Sequence, residues 1–84
     1  MNNNQKWVNQ QTLTSKLLEK KELMDKNLRN YLVLKLEQLT GVFVFASQVK
    51  EERWGELIEG QEYTFTIAEN EKGYKNLLDF SFGH

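Results

Sequence analysis

The chain predicts a small, mostly β domain with one short helical segment, and three stretches carry that expectation. Residues 31–37 alternate, with Leu32, Leu34 and Leu36 on one face and Tyr31, Val33, Lys35 and Glu37 on the other, the period-2 pattern of a half-buried strand. Residues 42–46 form an unbroken apolar run behind Thr40-Gly41, the mark of a strand entered through a turn. Tyr63, Phe65 and Ile67 alternate with Thr64 and Thr66, a third strand built from residue types that favour extended backbone.

The size of the chain bounds what it can do. At 84 residues it has material for one domain with a modest core and little room for a separate catalytic apparatus. Hydrophobic residues at 39% and aromatic ones at 12% suffice to fold despite a charged fraction of 27%, so a globular unit is expected. The absence of cysteine excludes a disulfide framework and thiolate metal sites. Asn2, Asn3, Asn4 and Gln5 follow Met1 without the basic segment and apolar run of a secretory signal, and residues 42–46 are too short to span a bilayer. The expectation is a cytoplasmic protein with no membrane partner.

Element by element, residues 1–11, rich in Asn and Gln around Trp7 and Val8, read as a flexible N-terminal tail in which Trp7 could fold back over a sheet face. The domain proper then covers residues 12–84. Residues 12–30 are open between two readings. Leu13, Leu17, Met24, Leu28 and Leu32 recur at near-helical spacing among good helix formers, whereas Asp25-Lys26-Asn27 is a turn cluster leading straight into the strand at 31. A long first strand over residues 13–23 is preferred; the helical alternative would make residues 12–36 a helical adaptor. Trp54, Leu57 and Ile58 stand at i, i+3 and i+4, one face of a short helix stopped by Gly60. Asn70-Glu71-Lys72-Gly73 supplies a turn, and residues 76–82 form the last strand, with Phe80 and Phe82 directed to the core.

The resulting order is three strands, a short helix and two strands. On that order the stretch "DKNLRNYLVLKLEQLTGVFVFAS" resembles the loop, second strand and third strand of OB-fold nucleic-acid binders. The stretch "ERWGELIEGQEYTFTIAENEKGYKNLLDF" is similar to their helix and last two strands. The resemblance implies a five-stranded OB-fold Greek-key barrel with a helix between strands 3 and 4. It also implies that Phe43 and Phe45 face the core; from the residues alone the opposite parity, with Val42, Val44 and Ala46 inward, is equally available. Outward phenylalanines would be the best stacking groups in the chain. Either parity leaves an apolar exterior on that strand, to be covered by the Trp7 segment or a partner. One departure is Leu28, where such proteins often carry glycine.

No catalytic constellation emerges. The single histidine, His84, is the last residue, so a nucleophile lacks its usual base. Glu51, Glu52, Glu56 and Glu59 fit a solvated helix surface, "ENEKG" lacks the ligand spacing of an EF-hand, and "EKGYKN" is not a phosphate-binding P-loop. No cofactor or metal is expected. Trp54 reads as a plug in the barrel more simply than as a stacking platform.

The resemblance implies a ligand path across strands 2 and 3, between the loop joining strands 1 and 2 and the loop joining strands 4 and 5. Lys26 and Arg29 fall on one side of it, Lys72, Tyr74 and Lys75 on the other, and Tyr31 and Lys35 on the strand between them. Cations for phosphates and flat rings for bases are what a single-strand binder needs. The expected function is therefore a non-enzymatic module for single-stranded DNA or RNA with little sequence specificity. The formal net charge of −1 argues against it, since phosphate binding usually leaves a basic excess. A protein-interaction module, homodimeric in one form, is the alternative.

Overall fold

The computed structural model describes residues 6–83. Five strands and one 3-10 helix follow in the order β1 (Val8–Met24), β2 (Asn30–Leu36), β3 (Val44–Phe45), η1 (Glu51–Glu56), β4 (Glu62–Glu69) and β5 (Lys75–Phe82). The mostly β reading and the placement of the short helix between the third and fourth strands therefore hold. The helical alternative for residues 12–36 is not realised. His84 and residues 1–5 of the expected tail lie outside the described residues.

β1 organises the sheet because it is long enough to serve two neighbours. Its first half pairs antiparallel with β4, from Val8 opposite Glu69 to Lys16 opposite Glu62. Its second half pairs antiparallel with β2, from Leu17 opposite Leu36 to Met24 opposite Asn30. A register shift between Leu17 and Glu19 bends the strand between the two ladders, as an inserted residue does. Pairing with β2 gives the helix-forming residues Glu19, Lys20, Lys21 and Glu22 ladder partners and overrides their local preference. β1 also starts at Val8, so residues 8–11 of the expected tail are strand, recruited by the free edge of β4. β2 pairs with β3, β3 runs parallel to β5, and β5 pairs with β4. The pairing order β1-β2-β3-β5-β4 thus returns to β1.

Inside this ring lie Leu17, Leu32, Leu34, Leu36, Val44, Leu57, Tyr63, Phe65, Ile67, Leu77 and Phe80, all buried. The three leucines of β2 and the Tyr63, Phe65, Ile67 triplet of β4 face inward as their alternation requires. Burying such side chains supplies about 25 cal/mol for each Å² of apolar surface removed from water, the dominant favourable contribution to a fold of this size.

Three expectations about core residues are corrected. Val44 stands opposite Leu34 and Phe45 opposite Val33, so strand parity sends Val44 and Ala46 into the core and Phe43 and Phe45 outward; Phe43 is 52% exposed. The ladder at this place is confined to Val44 and Phe45 instead of extending over residues 42–46. Ile58 is 54% exposed although Leu57 beside it is buried. The helix is a 3-10 turn that ends at Glu56, with Leu57 already extended at φ −90° and ψ 111°, so the i+4 position does not return to the Trp54 face. Phe82, the last residue of β5 and in register with Tyr63, is 63% exposed and stacks on the Tyr63 ring at 5.5 Å instead of entering the core.

η1 is fixed to the sheet by side chains. Trp54 packs against the core and its indole N–H donates to the Val49 carbonyl at 3.1 Å. The Arg53 guanidinium lies 4.3 Å from the centroid of the Phe80 ring and pairs with Asp79 at 3.2 Å and Glu56 at 3.5 Å. The Tyr63 hydroxyl accepts from the Ile58 N–H at 2.8 Å and donates to the Glu56 carbonyl at 2.7 Å, closing the exit from η1.

Candidate functional site

The parity of β2 and β3 that fills the core leaves a row of rings on the outer face. Tyr31 projects from β2 and Phe45 from β3, with ring centroids 6.5 Å apart. Tyr74, immediately before β5, meets Phe45 edge to face at 6.0 Å and 81°, a geometry favoured by the ring quadrupoles. Phe45 sits between the two tyrosines and is half-buried by them, while Tyr74 is exposed.

Three shallow grooves meet at Phe45. One of about 370 Å³ is lined by Tyr31, Phe45, Tyr74, Ser47, Asn70 and Asn76, with Leu32 behind them. Its floor is a buried polar group: Asn76 accepts from the Ser47 hydroxyl and donates from Nδ2 to the Tyr74 carbonyl at 3.1 Å. A second groove, about 270 Å³, runs from Phe45 and Phe43 over Val33 and Tyr31 to Leu23 and Lys21. The third, about 280 Å³, lies between the Gly41 turn and the Gly73 turn. A separate hollow of about 430 Å³ involves Lys20, Glu22, Glu51 and Trp54. There Lys20 is already committed, its backbone N–H to Glu59 and its ammonium to the Trp54 carbonyl.

Two loops rise beside the aromatic row, and they share one construction. In the β1–β2 loop a carboxylate oxygen of Asp25 accepts from the N–H groups of Asn27 and Arg29 at 2.8 and 3.0 Å, and the Asp25 N–H donates to the Arg29 carbonyl at 2.9 Å. In the β4–β5 loop the Asn70 side-chain oxygen accepts from Lys72 and Tyr74 at 3.0 Å each, and the Asn70 N–H donates to the Tyr74 carbonyl. Short Asx side chains substitute here for backbone partners. The fourth residue of each loop is left-handed: Gly73 has φ +86° and Leu28 φ +63°. Glycine takes that conformation without penalty, whereas a leucine is strained by about 1 kcal/mol.

The sequence-predicted residues divide by position. Tyr31 and Tyr74 come together around Phe45. Lys26 and Arg29 are exposed in the β1–β2 loop and Lys72 in the β4–β5 loop; none of the three forms an ion pair among the described residues. Lys35 is half-buried on β2 in register with Glu19, further along the strand from the rings. Lys75 is committed to Glu69 at 3.1 Å, and this bond together with the Asn9 amide holds the Glu69 carboxyl below its ordinary value. The residue sequence reasoning placed elsewhere is Phe45, the centre of the cluster. In an all-apolar run nothing marks its parity, and only the cross-strand register with Val33 decides it.

Among the described residues no three His, Cys, Asp or Glu side chains are grouped to hold a metal ion, and no helix is long and apolar enough to cross a membrane. What the outer face offers is flat apolar surface with cations at its margins. Comparison with known proteins brings no family to this arrangement: no family model, no curated protein and no solved structure matches the chain.

Proposed function

We propose that the chain is a non-enzymatic barrel of the OB type that binds single-stranded nucleic acid with little sequence specificity. The observation that carries the reading is the Tyr31–Phe45–Tyr74 row, with Phe45 flanked at 6.5 and 6.0 Å by the two tyrosines. Every base has a π face, so rings along a sheet hold a strand regardless of its sequence, at about 1–3 kcal/mol per stacked base. Lys26 and Arg29 in the β1–β2 loop and Lys72 in the β4–β5 loop, free of ion pairs among the described residues, are the cations available to meet phosphates. Local cations rather than net charge supply the attraction, which accommodates a formal net charge of −1. The strand order and the ring of pairings support the OB assignment.

The test is fluorescence anisotropy of labelled single-stranded DNA and RNA at low salt. Binding that weakens as salt rises is expected; no anisotropy change with either polymer overturns the proposal.

A second reading has its own observation. Phe43 and Leu23 are exposed apolar side chains that line one groove of the outer face, which would suit a protein partner or a second copy of the chain. Light scattering across a concentration series separates the two, since a monomer at high concentration removes the homodimer.

A further inference from the structure

We infer that Leu28 is an apolar wedge that packs between neighbouring bases of the bound strand, with Lys26 and Arg29 holding the phosphates on either side. The inference rests on the nucleic-acid reading above and assigns a role to a residue outside the aromatic row.

Leu28 is placed where the fold gains nothing from it. Its backbone lies at φ +63°, a region that L side chains enter at a cost and leucine rarely occupies. Its side chain is 77% exposed, so burial within the chain does not offset that cost. The β4–β5 loop shows what the same turn accepts without strain: the corresponding residue, between an Asx-capped start and a cross-loop backbone bond, is Gly73 at φ +86°. A strained, solvated leucine is a reason to look for a contact made outside the chain.

The surroundings specify the kind of contact. Met24, at the end of β1, is also exposed, a second apolar side chain beside the loop. Lys26, two residues before Leu28, and Arg29, directly after it, carry no ion pair among the described residues. The loop's carboxylate, Asp25, is turned to the backbone N–H groups of Asn27 and Arg29. The loop also adjoins the aromatic row, because Leu23, two residues before Asp25, stands opposite Tyr31 in the β1–β2 ladder. An apolar group between two cations, at the end of a row of rings, complements a chain of flat bases joined by phosphates. Aliphatic side chains inserted between base steps are an established way of parting a stack.

The experiment compares wild type with Leu28→Gly, Leu28→Asn and Leu28→Met. Each is titrated against a labelled single-stranded oligonucleotide and against one carrying 2-aminopurine, whose fluorescence rises when its neighbours unstack. Leu28→Gly relieves the backbone and should melt about 4 °C higher than wild type, while binding about tenfold more weakly and losing the 2-aminopurine signal. Leu28→Asn, which tolerates the same backbone conformation, should lose affinity equally, and Leu28→Met should retain it. Oligonucleotide binding by Leu28→Gly and Leu28→Asn at wild-type affinity would overturn the wedge and leave the aromatic-face reading standing. Absence of binding by wild type would remove that reading and the wedge with it. A wild-type dimer in light scattering that Leu28→Gly abolishes, with oligonucleotide affinity unchanged, would assign the leucine to a protein contact and overturn the wedge.

Discussion

The ring of Phe45 lies edge to face with that of Tyr74, centroids 6.0 Å apart, although one belongs to the shortest strand and the other to the turn before β5. Phe45 is the shared wall of the three grooves on the outer face, and Tyr74 is its exposed neighbour. The pair tests the aromatic row most directly. Tyr74→Ala removes an exposed ring that closes no core contact, so its melting temperature should stay close to wild type. Its affinity for a single-stranded oligonucleotide should fall about tenfold, the loss expected for one stacked base. Affinity unchanged within error, measured by anisotropy, would exclude Tyr74 from the interface.

Salt dependence tests the cations. With Lys26, Arg29 and Lys72 as three phosphate contacts, log affinity should fall against log salt with a slope of about −2, at about 0.7 per contact for a single strand. Arg29→Gln should reduce the steepness by about 0.7 with little change in stability, since the Arg29 backbone N–H, not its side chain, bonds Asp25. A slope near zero for wild type would mean that phosphates are not part of the contact.

Acid stability should report the Glu69–Lys75 pair. The Lys75 ammonium, followed by the Asn9 amide, holds the folded Glu69 carboxyl below 4.5. A depressed carboxylate stabilises the fold fully above its unfolded value, and that contribution disappears as pH falls through the lower folded value. Thermal melts of wild type and Glu69→Gln should therefore differ most near neutrality and converge as pH is lowered through and below 4.5. A gap that persists unchanged into acid would show that the charge of Glu69 is not what the fold uses.

Tyr63 is the stability test. Its buried hydroxyl makes both a donated and an accepted bond at the end of η1, and Tyr63→Phe leaves the Ile58 N–H and the Glu56 carbonyl without that partner. A loss of about 1–3 kcal/mol is expected, seen as a melting temperature lower by roughly 5–15 °C. A melting temperature equal to wild type would mean that solvent replaces the hydroxyl at no cost.

The legible parts of this molecule were those where local pattern and tertiary environment agree. Leu32, Leu34 and Leu36 alternate in sequence and are buried in the structure, and Tyr63, Phe65 and Ile67 behave the same way. Asn70 and Asp25 announced turns that their side chains then build. The failures share a cause. Phe43 and Phe45 sit in a run with no polar residue to mark its outside, and Ile58 follows a helix whose end, at Glu56, has no local signal strong enough to locate it. Residues 8–11 became strand because the edge of β4 stood open beside them, which no property of Asn or Gln reveals. Of the candidate site, Tyr31, Tyr74, Lys26, Arg29 and Lys72 lie on the strand and in the loops to which alternation and turn residues assigned them. Lys75 could not be recognised as spoken for, since the ion pair with Glu69 crosses a turn.

By itself the sequence determined the mostly β class, the order of the elements and the inward faces of β2 and β4, because strand alternation and turn chemistry act over a few neighbouring residues. Tertiary structure alone decided that β1 bends to serve two ladders and that Phe45 faces outward between Tyr31 and Tyr74. Each depends on register between segments distant in the chain, and register is set by the joint packing of the core, not by any one segment.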